Sequence, residues 1–267
     1  MDISGKVFVV TGGGNGIGRE VVLALLAKGA SVAALDLSEE GLEATAMLAD
    51  VGERLTTHAV DITDRAVVEQ LPKLVSAAHG SVDGLVNVAG IIHKFKPISE
   101  LTFEEIEKVM AVNFWGTVNT VKTFLPTLLA RPAASIVDVS SMGALVPFPG
   151  QSAYGASKAA VKLFTEGLYA ELRGTSVAVT LVFPGAIGTN IAGNSGVDMG
   201  KMAAGADTAA KMTSAVSAGA QIVEAIEKGS YKVRIGSDAK MLDRMSRLMP
   251  QRSTGIIADQ MKKMLAG

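Results

Sequence analysis

Tyr154 and Lys158 stand four residues apart in the stretch Tyr154-Gly155-Ala156-Ser157-Lys158, and Ser141 precedes the tyrosine by thirteen positions. On a helix, a spacing of four puts both side chains on one face, one turn apart. A free phenol, with a pKa near ~10, moves protons poorly at neutral pH, whereas an ammonium within a few ångströms favours the phenolate and lowers that value. Bringing it to near neutrality would take roughly 4 kcal/mol, at about 1.4 kcal/mol per pKa unit. A dry pocket can supply that much, and the tyrosine then serves as a general acid or base. Tyrosines and lysines also fall four apart by chance on amphipathic helices, so the pair gains meaning only beside a second feature.

That feature is Thr11-Gly12-Gly13-Gly14-Asn15-Gly16-Ile17-Gly18, which follows the apolar run Val7 to Val10. The run fits a strand buried on both faces. A helical pattern then extends from Gly16 to about Lys28, with Ile17, Val21, Leu25 and Leu26 at helical spacing and Gly29 as its stop. Glycines here let the backbone turn tightly and approach a pyrophosphate, and the helix start offers free N–H groups and a positive dipole end. The spacing Gly12-x-x-x-Gly16-x-Gly18 departs from the general Gly-x-Gly-x-x-Gly fingerprint.

A second strand, Ser31 to Leu35, ends in Asp36. An acid at that distance from the glycines can accept hydrogen bonds from the ribose hydroxyls of an adenosine and repel a 2′-phosphate. Its alternative use is to cap the helix starting near Glu39. Leu37 and Ser38 follow it, and Gly13, Gly14 and Asn15 offer no cation. The expected cofactor is therefore NAD and not NADP.

With both motifs in view, the sequence resembles the short-chain dehydrogenase/reductase family, whose pattern is Thr-Gly-x-x-x-Gly-x-Gly near the N-terminus and a Ser followed by Tyr-x-x-x-Lys in the middle. The resemblance runs from about Gly5 to Thr189. It implies a catalytic set of Ser141, which holds the substrate oxygen, Tyr154, which exchanges the hydroxyl proton, and Lys158, which lowers the tyrosine pKa and grips the nicotinamide ribose. Asn113 completes a proton path through a water held on its main-chain carbonyl. For the cofactor it implies Gly12, Asn15, Gly16, Ile17 and Gly18 at the phosphates, and Asp36 and Leu37 at the adenosine ribose. Asp61 and Ile62 belong at the adenine, and Asn87, Ala89 and Gly90 in a close backbone approach. Tyr154 and Lys158 serve here too, with Pro184, Gly185, Ile187 and Thr189 over the nicotinamide. Val88 replaces the second amide of the family's Asn-Asn-Ala-Gly, which puts in doubt any bond that amide makes to neighbouring strands. On the residues alone, Asp61 could equally cap a helix near Asp64, and Asn113 could be satisfied by local backbone.

The elements that must position these groups alternate strand and helix from Lys6 to about Ile235. Such alternation requires a mainly parallel sheet with helices on both faces and right-handed crossovers. The expected fold is α/β: a single doubly wound Rossmann domain with a seven-stranded sheet, spanning residues 1–237, and a C-terminal amphipathic tail of the same domain over 238–267. Ser140 and Ser141 fall at the carboxyl end of the fifth strand, Ala134 to Val139, the edge where ligands bind in open parallel sheets.

Composition removes several other classes. Cysteine is absent, which excludes thiol catalysis, disulfides and cysteine-bound zinc. The three histidines, His58, His79 and His93, lack ligand spacing, so no metal is expected. A net charge of −1 and the lack of a dense basic stretch argue against nucleic acid. No leader and no window of ~18 apolar residues is present, so a cytoplasmic protein is expected. The family also implies a homo-oligomer, a tetramer with the Tyr154 helix against its counterpart. Two rival readings share the cradle: a carbonyl reductase or epimerase-like relative, and a binding protein that senses the dinucleotide without turnover. The intact Ser141, Tyr154 and Lys158 speak against the second.

Residues 190–208 read as a loop, and the family resemblance implies that this region closes over the substrate. Eight of the twelve methionines follow residue 198: Met199, Met202, Met212, Met241, Met245, Met249, Met261 and Met264. Methionine is flexible and suits varied apolar shapes, so a lipophilic alcohol or ketone is expected over a sugar or polyol. The tail's apolar face could pack on its own domain or a neighbouring subunit; its interspersed basic residues also allow contact with an anionic membrane surface.

Overall fold

Strands that are apolar at nearly every position need cover on both faces of their sheet, and β1 (Val7–Thr11) and β5 (Ala134–Val139) are buried throughout their length. The computed structural model describes residues 1–197 and 212–266. It places these strands at the centre of a seven-stranded sheet with β2 (Ser31–Asp36), β3 (Leu55–Ala59), β4 (Gly84–Asn87), β6 (Val177–Pro184) and β9 (Lys232–Ile235). The order is β3-β2-β1-β4-β5-β6-β9, and each pairing is parallel. A short parallel pair, β7 (Ile187–Gly188) with β8 (Thr213–Ser214), stands apart from it.

The period of two along each strand sorts side chains between two cores. Phe8, Val10, Val32, Ala34, Val86, Val137 and Val182 face one way. There they meet Val21, Val22, Leu25 and Leu26 of α1 (Gly16–Ala27), Leu42 of α2 (Glu39–Ala49) and Ala218, Ile222, Val223 and Ile226 of α9 (Ala215–Lys228). Val7, Val9, Ala33, Leu35, Leu85, Ile136 and Val179 face the other way. Against them lie Val68 of α3 (Arg65–Val68), Leu71 and Val75 of α4 (Leu71–His79), and Val121, Phe124 and Leu128 of α6 (Gly116–Leu129). Leu168 of α7 (Ser152–Glu171) completes that layer. Helices therefore cover both faces, as the alternation of elements requires.

The segment from Thr102 through Gly116 has more detail than a single helical period would show. Thr102 and Glu105 form a capping box that starts α5 (Phe103–Met110). A π turn, Ala111–Trp115, then widens the coil and places Asn113 inside the protein before α6 continues.

Beyond β9 the tail forms two helices, α10 (Ser237–Leu248) and α11 (Pro250–Ala266). Leu242, Ile257 and Met261 form a third core with Val146, joined by Phe95, Met142, Leu145, Phe148 and Met245. The apolar face of the tail thus packs on its own chain, against the segment that follows Ser141. Met241, Leu248 and Met249 remain exposed. Residues Met199 and Met202 of the expected loop lie outside the described residues. Among the described residues no helix is long and apolar enough to cross a membrane.

Candidate active site

The strand order reverses between β1 and β4, which opens a crevice at the carboxyl ends of those strands. The glycine turn and the Asn87–Gly90 segment meet there. Gly12 has a φ of +72°, and a Cβ on it would lie 2.9 Å from Ala89 N, so no other residue fits the turn. Thr11 stitches the two segments together, its Oγ1 accepting from Val88 N at 3.1 Å and Ala89 N at 3.2 Å. Val88 itself packs against the first core, so its backbone takes part in this join without a second amide. Asn15 caps α1, its Oδ1 accepting from Gly16 N at 2.6 Å. Ile17 and Gly18 lie in the first turn of that helix.

Asp36, at the end of β2, accepts from Gly14 N at 2.9 Å and from Ser38 N at 3.0 Å. The cap of α2 is Ser38, whose Oγ accepts from Gly41 N at 3.0 Å, and not Asp36. Leu37 beside it is exposed. Asp61 lies after β3, exposed, and accepts from Thr63 N and Thr63 Oγ1. Asp64 caps α3, which frees Asp61 from that duty. Ile62 is buried, and its carbonyl accepts from Asn119 on α6 at 3.0 Å. Pro184 ends β6, Ile187 lies in β7, and Gly185 is crossed by Asp238 of α10, whose Oδ2 accepts from Ala186 N at 2.6 Å. Thr189 reaches the glycine turn: a Cβ on Gly16 would lie 3.3 Å from its Cγ2.

These features match what a dinucleotide needs. The glycines put no side chain between the turn and an approaching phosphate, the start of α1 supplies N–H groups, and a carboxylate stands at the end of β2. The groups that would hold it come from β1–α1, β2, β4 and the turn after β6.

The proton-transfer set lies one strand further along. Ser141 leaves β5 and caps a 3₁₀ turn, its Oγ accepting from Gly143 N at 3.0 Å. A Cβ on Gly143 would sit 3.4 Å from both Ser141 Oγ and Tyr154 Cε1, so hydroxyl and ring both lie against this glycine. Lys158 is almost wholly buried, and its Nζ donates to Val139 O at 3.0 Å. Gly90 lies beside it, where a Cβ would be 3.0 Å from Nζ. Asn113 Oδ1 accepts from Ile91 N at 2.8 Å, and its Nδ2 donates to Ile91 O at 3.0 Å and to Ser157 Oγ at 2.9 Å. Its main-chain carbonyl accepts from Thr117 Oγ1 at 3.0 Å. The amide therefore ties the loop after β4 to α7.

Burial pushes the Tyr154 phenol above its ordinary value, and hydrogen bonding with Ser141 opposes that shift. The depression expected from the lysine is absent, because Nζ points to Val139 O and the phenol chiefly senses its dry surroundings. Burial lowers Lys158 to about 8, and the charge of Asp138 opposes the fall. Asp138 is raised to about 6 by burial, held back by Asn87, Thr165 and Lys158.

Several residues here have no counterpart in the expected set. Asp138 is one, legible only as a lone acid inside an apolar strand. Asn194 and Ser195 are two more, on and after α8 (Ile191–Asn194). Asn15 Nδ2 donates to Asn194 Oδ1 at 3.3 Å, and Ile92 N donates to Ser195 Oγ at 3.0 Å. The start of the expected substrate loop thus touches both sides of the crevice. Nothing in their local sequence marks them, since the contacts arise only when the segments after β1, β4 and β6 meet at one edge of the sheet.

The short chain dehydrogenase family model matches residues 6–200. The chain belongs to the short-chain dehydrogenase/reductase family. The mycobacterial protein SadH of Mycobacterium tuberculosis, named as an oxidoreductase, is 38% identical over 252 residues, covering 92% of this chain and 91% of its own. Among solved structures, a short-chain dehydrogenase/reductase of Burkholderia phymatum in complex with NAD is similar with a TM-score of 0.83 and 26% identity, covering 92% of this chain and 94% of that one. A short-chain dehydrogenase of Burkholderia cenocepacia in complex with NADP gives 0.79 and 29%, covering 96% and 99%. The family is one of oxidoreductases that bind a nicotinamide dinucleotide, and both NAD and NADP occur among these neighbours.

Proposed function

We propose that this protein is an NAD-dependent oxidoreductase that interconverts a secondary alcohol and a ketone, with a lipophilic substrate. The observation that carries the reading is the convergence of Ser141, Tyr154 and Lys158 at the carboxyl edge of β5, beside the crevice at β1 and β4. When bound, the nicotinamide supplies or accepts the hydride. Ser141 Oγ holds the substrate oxygen, and the Tyr154 hydroxyl gives or takes its proton. Lys158, held on Val139 O beside the tyrosine, is the cation that grips the nicotinamide ribose, while burial and the Ser141 hydrogen bond set the proton affinity of the phenol. Asn113 holds the backbone after β4 in place behind the lysine and leads a proton path outwards.

Asp36 supports NAD over NADP, because a carboxylate fixed on the glycine turn opposes a 2′-phosphate. The third core supports an apolar substrate, since Met142 and Leu145 follow Ser141 directly and are backed by the tail. In this reading the tail belongs to the same domain as the sheet, and the protein is cytoplasmic. It assembles as a homotetramer in which Trp115 and Leu163, both exposed on the α5–α7 side, become covered. Sedimentation as a monomer at micromolar concentration would refute that assembly.

The test of function is spectrophotometric turnover with NAD or NADH against a panel of secondary alcohols and ketones. Turnover with NAD and an apolar alcohol is expected. Dinucleotide binding with no turnover across the panel would replace the enzyme by a sensor.

A further inference from the structure

Asp138 is a carboxylate with no accessible surface and no cation in salt-bridge contact among the described residues, set one residue before the carbonyl that holds the Lys158 ammonium. Buried charges are ordinarily paired, because an isolated one loses its hydration without return. Here the hydrogen bonds come from neutral groups. Asn87 is its neighbour in register across β4 and β5, and donates to Oδ1 at 2.9 Å. The oxygen of that amide lies 2.8 Å from Thr120 Oγ1, whose hydroxyl is also within reach of the Gly116 and Thr117 carbonyls. Thr165 Oγ1 of α7 lies 2.9 Å from Oδ2 and 2.7 Å from Val161 O. One hydroxyl proton cannot serve both acceptors fully. With Asp138 ionised, Oδ2 and the carbonyl compete for it; with Asp138 protonated, Oδ2 donates to Thr165 and Thr165 donates to Val161.

The titratable groups facing this region among the described residues are three. Asp138 comes from β5, and Tyr154 and Lys158 come from α7. The other walls are neutral: Asn87 from β4, Leu181 from β6, Thr120 from α6 and Asn113 from the π turn. Among the described residues, each of the buried charges, Asp138 and Lys158, is therefore the only nearby countercharge of the other.

We propose that Asp138 is a positioning residue that acts through Lys158, its buried charge keeping the lysine an ammonium where it meets the dinucleotide and Tyr154. The inference rests on the role given to Lys158 above. Asp138→Asn removes the charge and keeps the shape, because the new amide can present oxygen to Asn87 and nitrogen to Thr165. The lysine then loses its opposing charge, and its proton leaves at lower pH.

The experiment follows NADH affinity by fluorescence between about pH 6 and pH 10, a window that spans the ordinary values of the groups concerned. In the wild type, affinity falls as Lys158 loses its charge. In Asp138→Asn the fall is expected to begin at least about one pH unit lower, the lower end of what a nearby opposite charge does to a pKa. Asp138→Ser, which removes the charge without adding an amide, carries the same expectation and serves if the first variant does not fold. Adding Lys158→Arg to Asp138→Asn should abolish the fall, since a guanidinium stays charged throughout. A fall that keeps its wild-type position, an equal loss of affinity at every pH, or a fall that survives the arginine would each overturn the proposal. Because binding is the readout, failure of the dehydrogenase reading would show separately, as missing turnover in a wild type whose NADH binding still depends on pH.

Discussion

Asp36 Oδ2 accepts a hydrogen bond from Gly14 N at 2.9 Å, so the acid that ends β2 is anchored on the turn that follows β1. Arg19, the cation nearest that turn in sequence, lies against the same turn, its guanidinium donating to the carbonyls of Gly14 and Gly41 and to Thr45 Oγ1. With the arginine engaged in those bonds, a 2′-phosphate would meet the fixed Asp36 carboxylate at the end of β2. NADH is expected to bind more tightly than NADPH in fluorescence titrations. Asp36→Ala should narrow the difference by about tenfold, equivalent to about 1.4 kcal/mol. Equal or tighter NADPH binding in the wild type would show that Asp36 does not set the choice.

Tyr154→Phe keeps the ring against Gly143 and loses only the hydroxyl. Turnover is expected to fall by at least ~10²-fold, the usual scale for a lost general acid or base. Dinucleotide affinity should stay within a few-fold of wild type. Residual turnover within a factor of ten would remove the tyrosine from the proposed proton transfer.

The parts of this chain that were legible in its sequence are those governed by local rules. Period and punctuation show β1, α1 and Gly29, and the two-fold alternation of Phe8 and Val10 against Val7 and Val9 sends side chains to two cores. The glycine turn and the Tyr154 to Lys158 spacing are local in the same sense. What stayed hidden depends on distant segments meeting. The Asn15 to Asn194 contact spans 179 residues, and the pairing of Asn87 with Asp138 depends on strand register. The direction of the Lys158 side chain was hidden for a related reason: spacing shows which face a residue shares, but not that Val139 O lies within reach of its ammonium.

Asn113 makes three side-chain hydrogen bonds across two segments, and its replacement has a structural cost apart from catalysis. Asn113→Leu strands Ile91 N and O, at about 1–3 kcal/mol for each group left unsatisfied. A clear fall in the thermal midpoint is expected, together with lost turnover. An unchanged midpoint would mean that the loop after β4 is held by other contacts.

His58 and His79 share one hydroxyl, with Thr56 Oγ1 lying 3.1 Å and 2.9 Å from their respective Nε2 atoms. Burial lowers both below the ordinary 6.5, and the charge of His79 lowers His58 further. A lowered histidine binds its proton more readily unfolded than folded, so its stabilising contribution is complete above about pH 6.5 and is lost as pH falls through the folded value. The thermal midpoint should therefore decline below pH 6.5, and His79→Gln should flatten that decline. An identical profile in the variant would place the acid sensitivity elsewhere.

The substrate prediction turns on Met142 and Leu145, which follow Ser141 and lean on Leu242, Met245, Ile257 and Met261 of the tail. If this cluster forms one wall of the substrate site, as the proposed function requires, it offers apolar contact and few groups to hydrogen-bond a hydroxyl-rich molecule. Under that proposal kcat/KM should be higher for a lipophilic secondary alcohol than for a polyol. Leu145→Ala shortens the side chain by three carbons, and one methylene in an apolar pocket is worth about 1–3 kcal/mol of discrimination. The variant should lose about tenfold or more in kcat/KM for the lipophilic alcohol, with much less change for a short one such as 2-propanol. Equal losses for both would mean that Leu145 supports the fold of the site and not the substrate. A polyol that proves the better substrate of the wild type would end the lipophilic assignment, whatever Leu145 does.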